Sequence, residues 1–215
     1  MKNNYNKKVI ALILAGGKSR RMNGNDKSLI TINKENLLDI CFKRISKQVD
    51  KVIINTNNEE LISSCNKRIF IEDYYSGFLG PLSGVLTGMK WIKMNSPKIN
   101  WLLTVPVDSP FFPEDLLRSF FSGINNELII SAESGEKKHP VFSIWNLNLI
   151  DVLETHVKKG ILKIDEFTKK FKTKVVKFPI IDYDPFYNIN NSEDLSEAKI
   201  IYDKYFLENS EGTKL

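Results

Sequence analysis

Gly16 and Gly17, followed closely by Lys18, Arg20, Arg21 and Lys27, form the part of this chain most suited to chemistry. Glycine lets a backbone approach a ligand closely, so successive N–H groups can point at phosphate oxygens. Arginine adds a forked donor and lysine a compact point charge, and both suit phosphate. The stretch reads as a nucleotide-phosphate cradle. It is not a Walker loop, because Leu12 stands where that pattern needs its first glycine. The dinucleotide fingerprint GxGxxG is absent too.

Other polar side chains stand at the ends of apolar runs. Asn55 lies in the polar C-terminal end of KVIINTN and fits either a base or ribose contact or a turn. Asp73 follows the next short run. Asp108 ends WLLTVPVD, where a carboxylate on a rigid strand could hold Mg²⁺ or cap the following turn. Asn188 and Asn190 flank Ile189, so strand alternation would turn both toward one ligand. His139 has no His, Cys or carboxylate cluster around it, which makes a metal role improbable and leaves a structural or a substrate contact.

The elements that must carry these residues follow from periodicity. The apolar run from Val9 to Leu14 predicts a strand covered on both faces. Further strands are predicted over 51–57, 68–72, 101–107, 127–131, 139–144 and 173–178, with ESGEKK as the turn between the fifth and sixth of the whole series. Helices are predicted over 37–49, from Glu59, from Pro81, from Pro113, over 149–159, through Phe167 and Phe171, and from Ser192 to about Phe206. Gly77, Gly80, Gly84 and Gly88 permit either close approach of a ligand or close packing of helix on strand. The alternation predicts an α/β fold, a single-domain Rossmann-like three-layer sandwich with a mainly parallel central sheet.

A chain of 215 residues, 42% hydrophobic and 27% charged, suits one such domain. The expected bounds are 1–208 for the domain and 209–215 for a disordered tail. Thirty-one Lys and Arg against 26 Asp and Glu give +5, compatible with an anionic partner, although no nucleic-acid-binding motif is present. Cys41 and Cys65 read as buried thiols in a reducing compartment. The polar start MKNNYNKK and the lack of a long apolar run predict a cytoplasmic protein with no membrane partner.

LAGGKSRRM with DK, INTN, EDYYSGFLGPLSG, VPVDSPF, GEKKHPV and NINNSEDL occur in an order that resembles the nucleotidyltransferases, and more narrowly the molybdenum cofactor guanylyltransferases of the MobA type. That resemblance implies transfer of GMP from GTP to molybdopterin or molybdenum-molybdopterin, with pyrophosphate released. It implies that Leu14, Ala15, Gly16 and Gly17 wrap the nucleotide, Arg21 and Lys27 contact its phosphates, Asn55 and Asp73 hold guanosine, and Asp108 binds Mg²⁺ and the triphosphate. It places Asn188, Asn190 and Gly84 on the pterin side, and makes proteins that deliver the pterin or accept the finished cofactor the expected partners. Asn23 departs from the glycine of many relatives, and Lys163 stands near Gly160 where relatives often carry an arginine. A cytidylyltransferase or sugar-phosphate nucleotidyltransferase is the alternative within the enzymes. A regulatory GTP-binding module is the alternative outside them.

Overall fold

The computed structural model describes residues 8–16, 27–63, 67–77, 80–122 and 124–207. Gly17, Lys18, Arg20, Arg21, Asn23, Cys65 and the tail 209–215, all singled out above, lie outside the described residues.

Strand β1 (Val9–Leu14) runs through the middle of the molecule. Val9, Ala11 and Ile13 enter one hydrophobic core while Ile10 and Leu12 enter another. Alternate side chains of a strand point to opposite faces, so two covered faces require an unbroken apolar run. The two-residue strands β2 (Thr31–Ile32) and β3 (Glu35–Asn36) form a separate hairpin. Its turn residues Asn33 and Lys34 both have positive φ, 47° and 73°, the sense that matches strand twist in a two-residue loop.

The main sheet adds β4 (Val52–Asn55), β5 (Ile69–Ile71), β6 (Trp101–Pro106), β7 (Ile129–Ser134), β8 (Lys137–Asn146) and β9 (Thr173–Phe178). Its order is β5-β4-β1-β6-β8-β7-β9. Every neighbouring pair is parallel except the two that involve β8, which runs against both β6 and β7. β7 and β8 extend further toward each other than the sequence suggests. ESGEKK is mostly strand, with Ser134 opposite Lys137 and only Gly135 and Glu136 in the turn. The register shifts between Ser131 and Ala132, opposite the stretch containing Pro140, a residue that can give no ladder donor.

Helices α1 (Leu37–Ser46), α4 (Leu116–Phe121) and α7 (Ser192–Tyr202) cover one face through Leu38, Cys41, Ile45, Phe120 and Ile201. The short α2 (Glu59–Ser63) joins the same core through Leu61. Helices α3 (Pro81–Asn95), α5 (Ile150–Lys158) and α6 (Ile164–Thr168) cover the other through Val85, Met89, Leu153 and Phe167. This is the three-layer α/β sandwich the sequence predicts. No helix among the described residues is long and apolar enough to cross a membrane.

Candidate active site

In an open α/β sheet, ligands bind outside the carboxyl ends of the parallel strands. β1, β4, β5 and β6 deliver their carboxyl ends to one edge, and the predicted site residues that are described gather there in two groups.

The first group forms around Asn55. Leu14 and Asn55 are partners across β1 and β4, and the N–H of Ala15 donates to the Asn55 carbonyl at 2.9 Å. The Asn55 amide is buried, and its Nδ2 donates to the Asp73 carboxylate at 3.0 Å and to the Ile71 carbonyl at 3.3 Å. Asn57 completes a clasp. Its Nδ2 donates to the other Asp73 oxygen at 2.9 Å, and its Oδ1 accepts the Asp73 N–H at 3.0 Å. The carboxylate is thereby aimed by two side-chain donors from one neighbouring strand end, with its own backbone N–H tied to the second of them. Asn57 was not singled out from the sequence, although it stands two positions beyond Asn55, where alternation repeats the same face.

Gly84 lies beneath this group. A Cβ there would stand 2.4 Å from Leu14 Cδ2 and 2.6 Å from Asn55 Oδ1. One turn on, a Cβ at Gly88 would stand 2.8 Å from Leu12 Cδ2. Close packing of α3 on β1 and β4 therefore accounts for both glycines. Pro81 occupies the first turn of α3 beside them, where its missing N–H costs no helix hydrogen bond.

The second group joins residues far apart in the chain. Lys27 Nζ donates to Asp108 Oδ2 at 2.9 Å and to Asn190 Oδ1 at 2.7 Å. Asn188 Nδ2 donates to the other Asp108 oxygen at 3.3 Å, and the Ile189 N–H donates to the Asp108 carbonyl at 2.8 Å. Asn188 and Asn190 thus both engage the Lys27 and Asp108 pair directly. Asn190 is held in turn at the cap of α7: its N–H donates to Asp194 Oδ2 at 2.8 Å, while the Asp194 N–H donates to the N-cap Asn191 Oδ1 at 2.7 Å.

The loop after Asp108 is sewn to α1. Arg44 donates to the Phe112 carbonyl from Nε at 2.9 Å and from a terminal nitrogen at 2.7 Å, and its guanidinium lies over the Phe206 ring. Gln48 donates to the Pro113 carbonyl and accepts the Leu117 N–H, both at 2.9 Å. Cys41 Sγ contacts the Val107 carbonyl at 3.5 Å; burial, with the Asp108 charge as a lesser cause, pushes its thiol pKa far up, so it is an inert core group. The helical periodicity marked this face as core and concealed its grip on the loop.

His139 is a structural residue. Its Nε2 lies 2.7 Å from Ser134 Oγ, and its ring meets that of Phe186 with centroids 4.7 Å apart.

Among the described residues no three His, Cys, Asp or Glu side chains converge as a metal cluster. Mg²⁺ fits the donors that are present, since it takes one or two carboxylates and fills its shell with water and substrate phosphate. Asp108 offers one carboxylate. The neighbouring Asn188 Oδ1 is a buried oxygen without a hydrogen-bond partner, a hard neutral donor of the same kind.

A doubly wound sheet with a polar cleft at its strand ends, one side built around Asn55 and Asp73 and the other around Lys27 and Asp108, defines an α/β protein of the nucleotide-binding class. Residues 11–171 match the sequence model of the MobA-like NTP transferase domain. The molybdenum cofactor guanylyltransferase of Rhodopseudomonas palustris is 35% identical over 192 residues, which cover 88% of this chain and 90% of that one. The chain belongs to the MobA-like NTP transferase family. Among solved structures, molybdopterin-guanine dinucleotide biosynthesis protein A from Archaeoglobus fulgidus superposes with a TM-score of 0.73 at 22% identity, over 91% of this chain and 99% of that one. The 4-diphosphocytidyl-2C-methyl-D-erythritolsynthase from Anaerococcus prevotii gives 0.69 at 15% identity, over 94% and 99%. The fold alone is thus shared by proteins named for different nucleotides.

Proposed function

We propose that this protein transfers GMP from GTP to molybdopterin, with or without its molybdenum, releasing pyrophosphate and forming the guanine dinucleotide of the cofactor. The observation that carries this is the meeting of Lys27 with Asp108 at the sheet edge, in a chain that aligns nearly end to end with guanylyltransferases.

An oxygen of the pterin's terminal phosphate attacks the α-phosphorus of GTP. A new P–O bond forms there as the bond to the bridging oxygen breaks, and pyrophosphate leaves with that electron pair. The nucleophile is already anionic, so the protein need supply no base; its work is alignment and charge stabilisation. Leu14, Ala15, Gly16 and Gly17 wrap the nucleotide, and Asn55 and Asp73 hold the guanosine. Lys27 and Arg21 meet the phosphates. Asp108, with Asn188 Oδ1 beside it, would hold a divalent cation, Mg²⁺ by its donor set, which when bound would supply neutralising charge to the triphosphate. Lys27 pairs with Asp108 in the structure described and turns to the phosphates when they are present. Asn188 and Asn190 border the pterin side; Gly84, expected with them from the resemblance, is instead packed under Asn55.

The test is thermal stabilisation by GTP, CTP, ATP and UTP, each with and without Mg²⁺, followed by pyrophosphate release with molybdopterin. A ligand at 100 times its Kd adds about 2.7 kcal/mol, which in a chain of this size raises Tm by roughly 5–10 °C. A shift selective for GTP, followed by release, supports the proposal. A shift selective for CTP moves the activity to a cytidylyltransferase, and GTP binding without release makes the chain a regulatory module.

A further inference from the structure

A largely buried polar relay, belonging to neither group of site residues, precedes Asn188 and Asn190 in the chain. Ser134 ends β7 and His139 lies near the start of β8; they are 1% and 8% exposed. Ser134 Oγ donates to Asp184 Oδ1 at 2.7 Å and lies the same 2.7 Å from His139 Nε2. The Ser134 hydroxyl has one proton and Asp184, as a carboxylate, can only accept. The proton on the second contact must therefore come from His139 Nε2, which fixes the tautomer. Asp184 Oδ1 also accepts the Phe186 N–H at 2.9 Å, and the Asp184 carbonyl accepts the Tyr187 N–H at 3.0 Å, so the chain turns sharply there. Phe186 is fully buried against His139 and Phe142, with ring centroids 4.7 Å away in each case. The next residues are Asn188, Ile189 and Asn190, whose bonds to Asp108 and Lys27 are given above.

We propose that Ser134, His139 and Asp184 are positioning residues for the phosphate end of the cleft. They seat the 184–187 turn and so set where Asn188, Ile189 and Asn190 present their groups to Asp108 and Lys27. The guanosine end, built by β1, β4 and β5, has no part in this relay. The inference rests on the reading that Asp108 and Lys27 serve the phosphates.

That separation of the two ends supplies the test. GTP and guanosine affinities are measured by calorimetry in Mg²⁺ buffer for the wild-type chain, Ser134→Ala, Asp184→Ala and Asp184→Asn, with far-UV circular dichroism to establish folding. Ser134→Ala and Asp184→Ala should weaken GTP about tenfold or more while guanosine stays within about twofold. Asp184→Asn should restore GTP affinity to near the wild-type value, because its amide oxygen still accepts from Ser134 and Phe186. If Asp184→Ala does not fold, Ser134→Ala, which removes a single oxygen, decides the matter. Parallel losses for both ligands, or unchanged GTP affinity in a folded Ser134→Ala, overturns the proposal. A wild-type chain that binds GTP but releases no pyrophosphate with molybdopterin sinks the transferase reading and leaves this contrast standing. A wild-type chain that binds neither ligand sinks both.

Discussion

Gly84→Ala separates packing from ligand contact at the centre of the site. The added methyl would lie 2.4 Å from Leu14 Cδ2 and 2.6 Å from Asn55 Oδ1, closer than real Cβ contacts come. Leu14 can swing its end away, but Asn55 is tied to Ile71 and Asp73. Overpacking of this kind costs about 1–3 kcal/mol, and the better helix propensity of alanine returns up to about 1 kcal/mol. Because the tied Asn55 cannot give way, the cost falls in the upper part of that range and the net loss is about 1–2 kcal/mol, or roughly 2–8 °C in Tm for a chain of this size. Displacing the Asn55 amide should also weaken guanosine by roughly 3–10-fold, the worth of one hydrogen bond. Thermal unfolding and guanosine calorimetry on the same preparation check both figures. A variant at least as stable as wild type, with unchanged guanosine affinity, would refute the packing argument. A raised KM for molybdopterin alone would instead make Gly84 a pterin contact.

Lys27→Ala should weaken GTP by roughly 10–100-fold, the value of a charge-assisted bond, and leave guanosine unchanged; equal losses in calorimetry remove Lys27 from the phosphate site. Asp108→Ala should lower kcat by more than about 10²-fold while far-UV circular dichroism shows the fold intact; unchanged pyrophosphate release in Mg²⁺ buffer counts against the metal assignment. Burial holds the pKa of His139 below its ordinary 6.5, with the nearby Asp184 carboxylate opposing the shift, Lys137 adding to it and Glu133 opposing it. The unfolded chain therefore binds the proton more readily, so stability from this site is present above pH 6.5 and is lost as pH falls toward the folded value. His139→Gln should flatten that part of the stability profile in urea titrations between pH 7 and 5, and a slope as steep as in wild type defeats the linkage.

The central strands were legible because burial on two faces leaves a one-dimensional trace: β1 is an unbroken apolar run and β6 is interrupted only by Thr104; the edge strand β9 also falls where its pattern predicts. Direction leaves none. β8 reads the same forwards and backwards, and only the ladder shows that it opposes its neighbours. The β2 and β3 hairpin is too short for periodicity, and its turn is Asn-Lys, without the glycine that usually marks such a loop. In the site, the motif string identified Lys27, Asp108, Asn188 and Asn190 one by one. Their mutual bonds span up to 163 positions and arise from the crossovers of the sheet. Ser134 and Asp184 carried no signal, since a serine in a polar hairpin and an aspartate in a loop resemble many surface residues.

The reversal of β8 has a consequence for how such a cleft can diversify. The proposed guanosine side is made where parallel strands finish, and each of those ends continues into a crossover that also builds the core. The opposite side is bordered by a hairpin whose loop is only Gly135 and Glu136, with the Ile180 side chain resting near Gly135. A hairpin tip can be lengthened or exchanged without rethreading any crossover. The fold therefore keeps a fixed jaw for the nucleotide and an adjustable one across from it, and a graft at residues 135–136 is the least disruptive route to a different acceptor.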